Sequence, residues 1–254
     1  MFSFRHAAIA AAVLINCMTS PAFAQEQNVA TRVKEFRMKL GATRIIYNPD
    51  ASGAALAVNN PQDYPILVQG KVFAEDKKTA APFIITPPLF RLEAGQQNRL
   101  RIIRTGGNFT PDRESLQWVC VGGVPPKNTD IWAQDKNGNS ATAATALLNL
   151  EVSLTSCIKL FVRPSGLKGT PEDAAASLTW RREGDKISVH NPSPFYMNLA
   201  SVTVSGKTVK GVEYIAPFAD RQFMLPQGAS GQVQWTVITD VGGESRPFIS
   251  TERL

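Results

Sequence analysis

Alternation of apolar and polar residues is most regular in the stretch that spans residues 146–162. Up to Thr155 only Leu147 interrupts the polar positions, and this period-two pattern is that of a β-strand with one apolar face. A single strand of this length would measure about 55 Å at about 3.3 Å per residue, whereas most strands contain about 3–10 residues. Two interpretations are open: one long strand whose apolar face extends past its own core, or two shorter strands joined by a bend near Thr155, both facing the core. The apolar positions are Ala146, Leu148, Leu150, Val152 and Leu154, and then Ile158, Leu160 and Val162.

The chain before this stretch has the pattern of a β-sandwich. Short runs rich in β-branched and aromatic residues alternate with Gly, Pro and Asn turns, and there is no helical periodicity of useful length. Residues 122–145 are rich in Pro, Gly, Asn and Asp, which predicts a long connection ahead of the final strand. The predicted strands cover residues 36–40, 43–47, 55–59, 66–73, 83–86, 98–104 and 116–121.

A second set of strands follows a short segment with linker composition at residues 164–170. The chain is long enough for two small cores. We therefore predict an all-β protein with sandwich domains at residues 25–163 and 171–254. The strands predicted for the second domain cover residues 178–182, 186–191, 197–204, 221–225 and 232–239.

The first 24 residues are expected to form a secretory signal peptide. Arg5 and His6 supply the polar start, residues 7–17 form a short apolar core, and Ala22-Phe23-Ala24 is an A-x-A cleavage site. The apolar run is too short to span a membrane, and no later segment is long enough. We expect a mature protein that begins at Gln25, is exported to the periplasm and is not inserted in the membrane.

Export gives the cysteines a specific meaning. Cys17 would leave with the signal peptide, so the mature chain keeps Cys120 and Cys157, which lie 37 positions apart. Two cysteines in an oxidising compartment indicate one disulfide, and two buried free thiols are the alternative. In the chain-entropy model, closing a loop of this size contributes about 4 kcal/mol.

Charge and composition exclude several classes of function. The formal net charge is +6, but the basic residues are scattered, so a nucleic-acid partner is not indicated. A basic pocket for one carboxylate explains the charge as well as a solvated surface does. His190 is the only histidine left after signal removal, and no nucleotide-binding loop is present. We expect neither catalysis nor a metal or cofactor.

The mature chain contains several short motifs: TRIIY at residues 43–47, NPQDYP at 60–65, PF at 82–83, TPPLFRL at 86–92, DRESL at 112–116, GVPPK at 123–127, CIKLFVRP at 157–164 and NPSPFY at 191–196. Taken together, they resemble one family: the PapD-like periplasmic chaperones of the chaperone–usher pathway. The resemblance covers essentially the whole mature chain, and the motifs are specific in combination. It implies two immunoglobulin-like β-sandwich domains in an L shape. The cysteine pair, the long loop and the extended N-terminal segment are similar to the long-loop (FGL) subgroup, which serves thin or capsule-like fibres.

The resemblance also implies roles for particular residues. Arg44 and Lys159 match the pair of cations that binds the C-terminal carboxylate of a fibre subunit, and charge-assisted hydrogen bonds suit that task. Glu114, Arg163 and Asp240 match a buried charge network between the domains. The donor strand, which is lent to the subunit, would present Leu148, Leu150, Val152 and Leu154. Ala146 departs from the family pattern because it is small where the donor series often begins with a larger apolar residue.

Two classes of function are considered. The first is a chaperone that binds, folds and caps fibre subunits by donor-strand complementation and delivers them to an outer-membrane usher. Its exposed apolar row would favour self-association of the free protein. The alternative is an exported structural fibre subunit, which the alternation at residues 25–40 allows. The two-domain length and the linker argue against that alternative.

Overall fold

The computed structural model describes residues 34–36, 38–124, 130–133 and 151–254. The predicted signal peptide and the positions Ala146, Leu148 and Leu150 lie outside the described residues, so their roles stay predictions. Within the described ranges, no helix combines the length and the apolar character needed to cross a membrane.

The first domain consists of two packed β-sheets. One sheet has five strands in the order β3-β11-β9-β5-β7, and the other has four in the order β2-β4-β8-β6. Strands β3 and β11 run parallel, whereas the other pairs in these two sheets are antiparallel. The strands are β1 Lys34–Phe36, β2 Lys39–Leu40, β3 Arg44–Tyr47, β4 Ala54–Asn59, β5 Ile66–Ala74, β6 Phe83–Thr86, β7 Leu89–Leu92, β8 Gln97–Arg104, β9 Ser115–Val124, β10 Glu151–Ser153 and β11 Thr155–Val162, with a 3-10 turn at Ile131–Ala133.

Strand β9 is buried on both faces, which explains why its sequence is almost continuously apolar. Val119 and Val121 point into the sandwich core, where they pack with residues such as Leu100 and Leu160. Alternate residues, including Trp118, belong to a different cluster that contains a side chain from the second domain. The five-stranded sheet is therefore the layer through which the two domains meet.

The long alternating stretch forms two strands in its described part. β10 ends at Ser153 and β11 begins at Thr155, so Leu154 belongs to neither strand. β10 pairs in parallel with β1 in a separate two-stranded sheet, with Glu35 opposite Val152. A single continuous strand is thus wrong for residues 151–162, and the division into two strands near Thr155 is confirmed. That both strands face the core stays a prediction, since β10 pairs with β1 outside the two sandwich sheets.

The second domain is also an antiparallel sandwich. A three-stranded sheet has the order β12-β13-β17, and a five-stranded sheet has the order β15-β14-β18-β19 with β16 paired to β14. Trp180 and Trp235 meet across its core with their ring centroids 5.5 Å apart. The strands are β12 Thr179–Glu183, β13 Lys186–His190, β14 Met197–Val204, β15 Lys207–Thr208, β16 Tyr214–Ile215, β17 Asp220–Met224, β18 Gln232–Val237 and β19 Phe248–Arg253, preceded by the helical turn α1 Pro171–Ala174 and a 3-10 turn at Ala175–Ser177.

Each domain contains a buried asparagine, followed by proline, whose side chain binds backbone carbonyl groups. Asn60 donates its side-chain amide to the carbonyl oxygens of Tyr64, Leu92 and Glu93. Asn191 makes the corresponding bonds to Phe195, Ile215 and Ala216. Because buried backbone groups need partners, the second asparagine fixes the loop that brings Pro194 and Tyr196 to the first domain.

Candidate functional site

One face of the five-stranded sheet in the first domain packs against the second domain. Leu116, Trp118 and Phe161 are buried there with Tyr196, and the rings of Phe161 and Tyr196 lie 5.6 Å apart. Strand register places Arg44 opposite Lys159, and Lys159 opposite Trp118. Residues directly opposite each other share a sheet face, so the structure brings the two cations named from the sequence side by side.

Lys159 lies half-buried between the domains. Its Nζ donates to Asn198 Oδ1 at 2.5 Å and lies 4.8 Å from the ring centroid of Tyr214. Burial, and then the nearby charge of Arg44, lower the pKa of Lys159 to about 8. Among the described side chains Lys159 forms no ion pair, so the ammonium group has a neutral acceptor and a π face but no carboxylate within ion-pair distance.

Arg44 is also short of partners. Its Nη1 donates to the carbonyl oxygen of Ile238 in the second domain at 3.2 Å, whereas its Nε is buried and has no hydrogen-bond partner in the described structure. Burial lowers the pKa of Arg44, and the charges of Asp240 and Glu114 oppose that shift.

The arrangement is suited to an anion. Two neighbouring cations and an unused buried donor cost free energy unless a group of opposite charge satisfies them. A carboxylate accepts several charge-assisted hydrogen bonds at once, and guanidinium and ammonium groups provide such bonds. The site can therefore hold one carboxylate between the domains.

Glu114, Arg163 and Asp240 form one network across the domain boundary. Arg163 Nε donates to Glu114 Oε1 at 2.6 Å, and its Nη1 and Nη2 donate to the two carboxylate oxygens of Asp240 at 2.6 and 2.7 Å. Glu114 Oε2 accepts from the backbone N–H of Tyr196 at 2.8 Å. Burial raises the pKa of Glu114, and the charge of Arg163 opposes this shift. The network links the end of β11 to two loops of the second domain.

Cys120 and Cys157 form a disulfide between neighbouring strands. They are directly opposite in the β9–β11 register and lie two residues from Trp118 and Lys159 respectively. Because residues two apart share a strand face, the bridge lies on the face that carries the cations. Cys157 is exposed whereas Cys120 is buried.

The predicted donor residues are only partly within the described structure. Leu148 and Leu150 lie outside it, and Val152 belongs to β10. Leu154 lies between β10 and β11 and is half-buried. The role of this row remains a prediction.

Sequence reasoning missed the side chains that surround Lys159. Asn198 and Tyr214 come from the second domain, where they are directly opposite each other on β14 and β16. Glu75, next to the end of β5, accepts hydrogen bonds from both Tyr196 and Tyr214. Asn198 is one of three polar residues of β14, with Ser201 and Thr203, so its position in the strand did not mark it, and its partner depends on how the domains dock.

The fold and the site define a class of protein: two immunoglobulin-like sandwiches with a cationic site between them. The family described as "Pili and flagellar-assembly chaperone, PapD N-terminal domain" matches residues 37–168. The companion family, "Pili assembly chaperone PapD, C-terminal domain", matches residues 173–248. The chain therefore belongs to the PapD-like pilus-assembly chaperones, and the alternative of a fibre subunit is dropped.

Similar proteins agree with this assignment. The chain is 55% identical over 198 residues to the chaperone protein AfaB of Escherichia coli, which covers 78% of this chain and 80% of AfaB. It is 46% identical over 245 residues to the chaperone protein PsaB of Yersinia pestis, covering 91% and 89%. The crystal structure of the E. coli chaperone DraB has a TM-score of 0.76 at 52% identity and covers 87% of this chain and 98% of DraB. The same values describe the chaperone SafB of Salmonella enterica, solved in complex with the pilin SafA.

Proposed function

We propose that this protein is a periplasmic chaperone that binds, folds and caps the subunits of a surface fibre and delivers them to an outer-membrane usher. The adjacent Arg44 and Lys159, which form no ion pair with a described side chain, carry the proposal. A subunit chain that ends between the domains would supply that charge as its C-terminal carboxylate. The signal peptide predicted at residues 1–24 and the similarity to a chaperone solved with a pilin support it.

The proposal includes donor-strand complementation. Leu148, Leu150, Val152 and Leu154 would fill apolar pockets of the subunit while the backbone adds a strand to its sheet. The cysteine pair and the long connection between β9 and β10 support membership of the long-loop subgroup; the connection begins later than the predicted residue 122, because β9 continues to Val124. We divide the mature chain into domains at residues 25–163 and 171–254, joined by residues 164–170. This role requires no catalytic step and no cofactor.

Substitution of the two cations tests the anchor. Lys159→Ala and Arg44→Ala are each expected to reduce capture of the host's own fibre subunit at least a hundredfold, because losing one partner of a desolvated charge pair costs several kcal/mol. Capture is measured by co-purification from the periplasm, with circular dichroism as the check on folding. Lys186→Ala, which removes an exposed lysine of β13, is the matched control. Normal capture by both site variants would overturn the anchor.

The donor row has its own test. Leu150→Asp combined with Val152→Asp is expected to weaken both subunit binding and self-association while the melting temperature hardly changes. If these residues were core instead, buried unpaired carboxylates would cost several kcal/mol. A variant that unfolds, rather than one that folds and fails to bind, would show that Leu150 and Val152 face the core and not the subunit.

A further inference from the structure

Glu75 connects the two domains beside the cationic site formed by Arg44 and Lys159. It follows β5 in the first domain and is exposed. Its Oε1 accepts from the Tyr214 hydroxyl at 3.1 Å, and its Oε2 accepts from the Tyr196 hydroxyl at 3.2 Å. Both tyrosines belong to the second domain. One carboxylate of the first domain thus receives two hydrogen bonds from the second with both of its oxygens.

Glu75 also contacts Trp118, which lies next to Lys159 in the first domain. Its backbone carbonyl oxygen accepts from Trp118 Nε1 at 3.2 Å. Trp118 is the neighbour of Lys159 in the sheet, with its ring centroid 5.9 Å from Nζ. The same residue therefore fixes an aromatic side chain on each side of Lys159.

Tyr214 is the element that connects Glu75 to Lys159. Its ring lies 4.8 Å from Lys159 Nζ, a cation–π distance, and its backbone carbonyl oxygen accepts from Arg221 at 2.6 Å. Tyr214 is directly opposite Asn198, which accepts the hydrogen bond of Lys159. Tyr214 therefore contacts the ammonium group through its ring and is the strand neighbour of the residue that accepts its hydrogen bond.

The hydroxyl groups that bind Glu75 are stable donors. Burial, and then the charge of Glu75, raise the pKa of Tyr214 to about 12. The same two causes raise the pKa of Tyr196. Both phenols therefore remain protonated across the range in which Lys159 titrates.

We infer that Glu75 is a positioning residue for the cationic site: through Tyr214 and Tyr196 it holds the second domain against Trp118 and so orients Lys159. This inference rests on the proposed function for its biological purpose. Glu75 touches no bound carboxylate in this scheme, and its effect on binding passes through the orientation and burial of Lys159.

Two variants separate the bridge from the charge of Glu75. Tyr214→Phe removes the hydroxyl group while the ring and the carboxylate remain. Glu75→Gln keeps the shape but cannot accept from both phenols. The matched control is Glu93→Gln, which removes a first-domain carboxylate paired with Arg91 at 3.1 Å. Urea unfolding of each variant confirms that it is folded.

The first measurement needs no ligand. The pKa of Lys159 is determined by NMR of lysine-labelled protein, where the groups that face it are Arg44, Lys77, Arg221 and Glu213. Tyr214→Phe is expected to raise the pKa of Lys159 from about 8 towards its ordinary value, because a loosened site admits water. A pKa equal to that of the wild type would overturn the inference.

The second measurement uses acetate as the carboxylate probe. Tyr214→Phe and Glu75→Gln are expected to weaken its binding by about tenfold, the effect of losing one hydrogen bond to a charged group, whereas Glu93→Gln binds as the wild type does. Equal acetate binding by all four proteins contradicts the positioning role. Should the wild type bind no acetate, the anchor proposal fails, and the Lys159 pKa still decides the role of Glu75.

Discussion

Removal of Arg163 should leave a charge stranded between the domains. The Glu114 side chain is 1% exposed, and its described partners are Arg163 and the backbone N–H of Tyr196. Breaking a buried ion pair from one side typically costs about 3–5 kcal/mol, because the remaining charge keeps its desolvation penalty. Arg163→Ala is therefore expected to lower the free energy of unfolding by about that amount, measured by urea denaturation at pH 7.5.

The pH dependence has a definite sign. Burial raises the pKa of Glu114 in the folded protein above its ordinary value. The folded state therefore binds the proton more tightly than the unfolded state does, and stability is lost as pH rises through the pKa that Glu114 has in the folded state. Without Arg163 that pKa rises further. The defect of Arg163→Ala should therefore be smaller at pH 5 than at pH 8.

A double variant provides the control. Glu114→Gln removes the stranded charge while its side-chain oxygen still accepts from Tyr196. Arg163→Ala should consequently cost less in the Glu114→Gln background than in the wild type, which is the coupling that a double-mutant cycle measures. If Arg163→Ala costs less than about 1 kcal/mol, or if Glu114→Gln does not reduce its effect, the reasoning from buried charge is wrong.

Two further predictions concern the site. Because the pKa of Lys159 is about 8, binding of a carboxylate should weaken about tenfold between pH 7 and pH 9 as the ammonium group is lost, measured by titration with acetate. Lys159→Ala should lack this dependence, and a flat profile in the wild type would contradict it. Replacing Cys120 and Cys157 by serine should lower the free energy of unfolding by about 4 kcal/mol through loop entropy, measured by urea denaturation, and a loss near zero would show that the reduced chain is constrained in another way.

The fold was predictable where strands are long and half-buried. β6 and β14 have the predicted bounds, and β5 and β8 differ from prediction by one residue. Their alternation reflects a sheet with one face in a core. Strands β7, β15, β16 and β19 were missed. β16 has two residues, Tyr214 and Ile215, and its pairing with β14 depends on the domain that surrounds it rather than on a local pattern.

The site was predictable only in its charged members. Arg44 and Lys159 follow from the resemblance, and the parallel register of β3 and β11 places them opposite each other. Asn198, Tyr214 and Glu75 come from different domains, so no spacing in the sequence connects them. The sequence at residues 146–162 did not distinguish one strand from two for a similar reason. The alternation of apolar and polar residues continues past Leu154, where the strand is interrupted.

A binding site that holds buried cations before its ligand arrives is expected to lower the stability of the free protein. Arg44 Nε is buried without a partner in the described structure, and burial lowers the pKa of both Arg44 and Lys159. Functional sites commonly retain such unfavourable groups because a ligand satisfies them. The disulfide joins β9 to β11, and the network includes Glu114, just before β9, and Arg163, just after β11. Both stabilise the strands that carry the cationic site.

The most direct test of the central claim compares two forms of the host's fibre subunit: one with its natural free C-terminal carboxylate, and one extended by two glycines. Affinity for each form is measured by calorimetry with the wild-type chaperone and with Lys159→Ala. The account predicts that extension weakens binding to the wild type by about a hundredfold, as expected for a displaced charge pair, and has little further effect on Lys159→Ala. Equal affinity of the wild type for both forms would contradict the claim that Arg44 and Lys159 hold the end of the subunit chain.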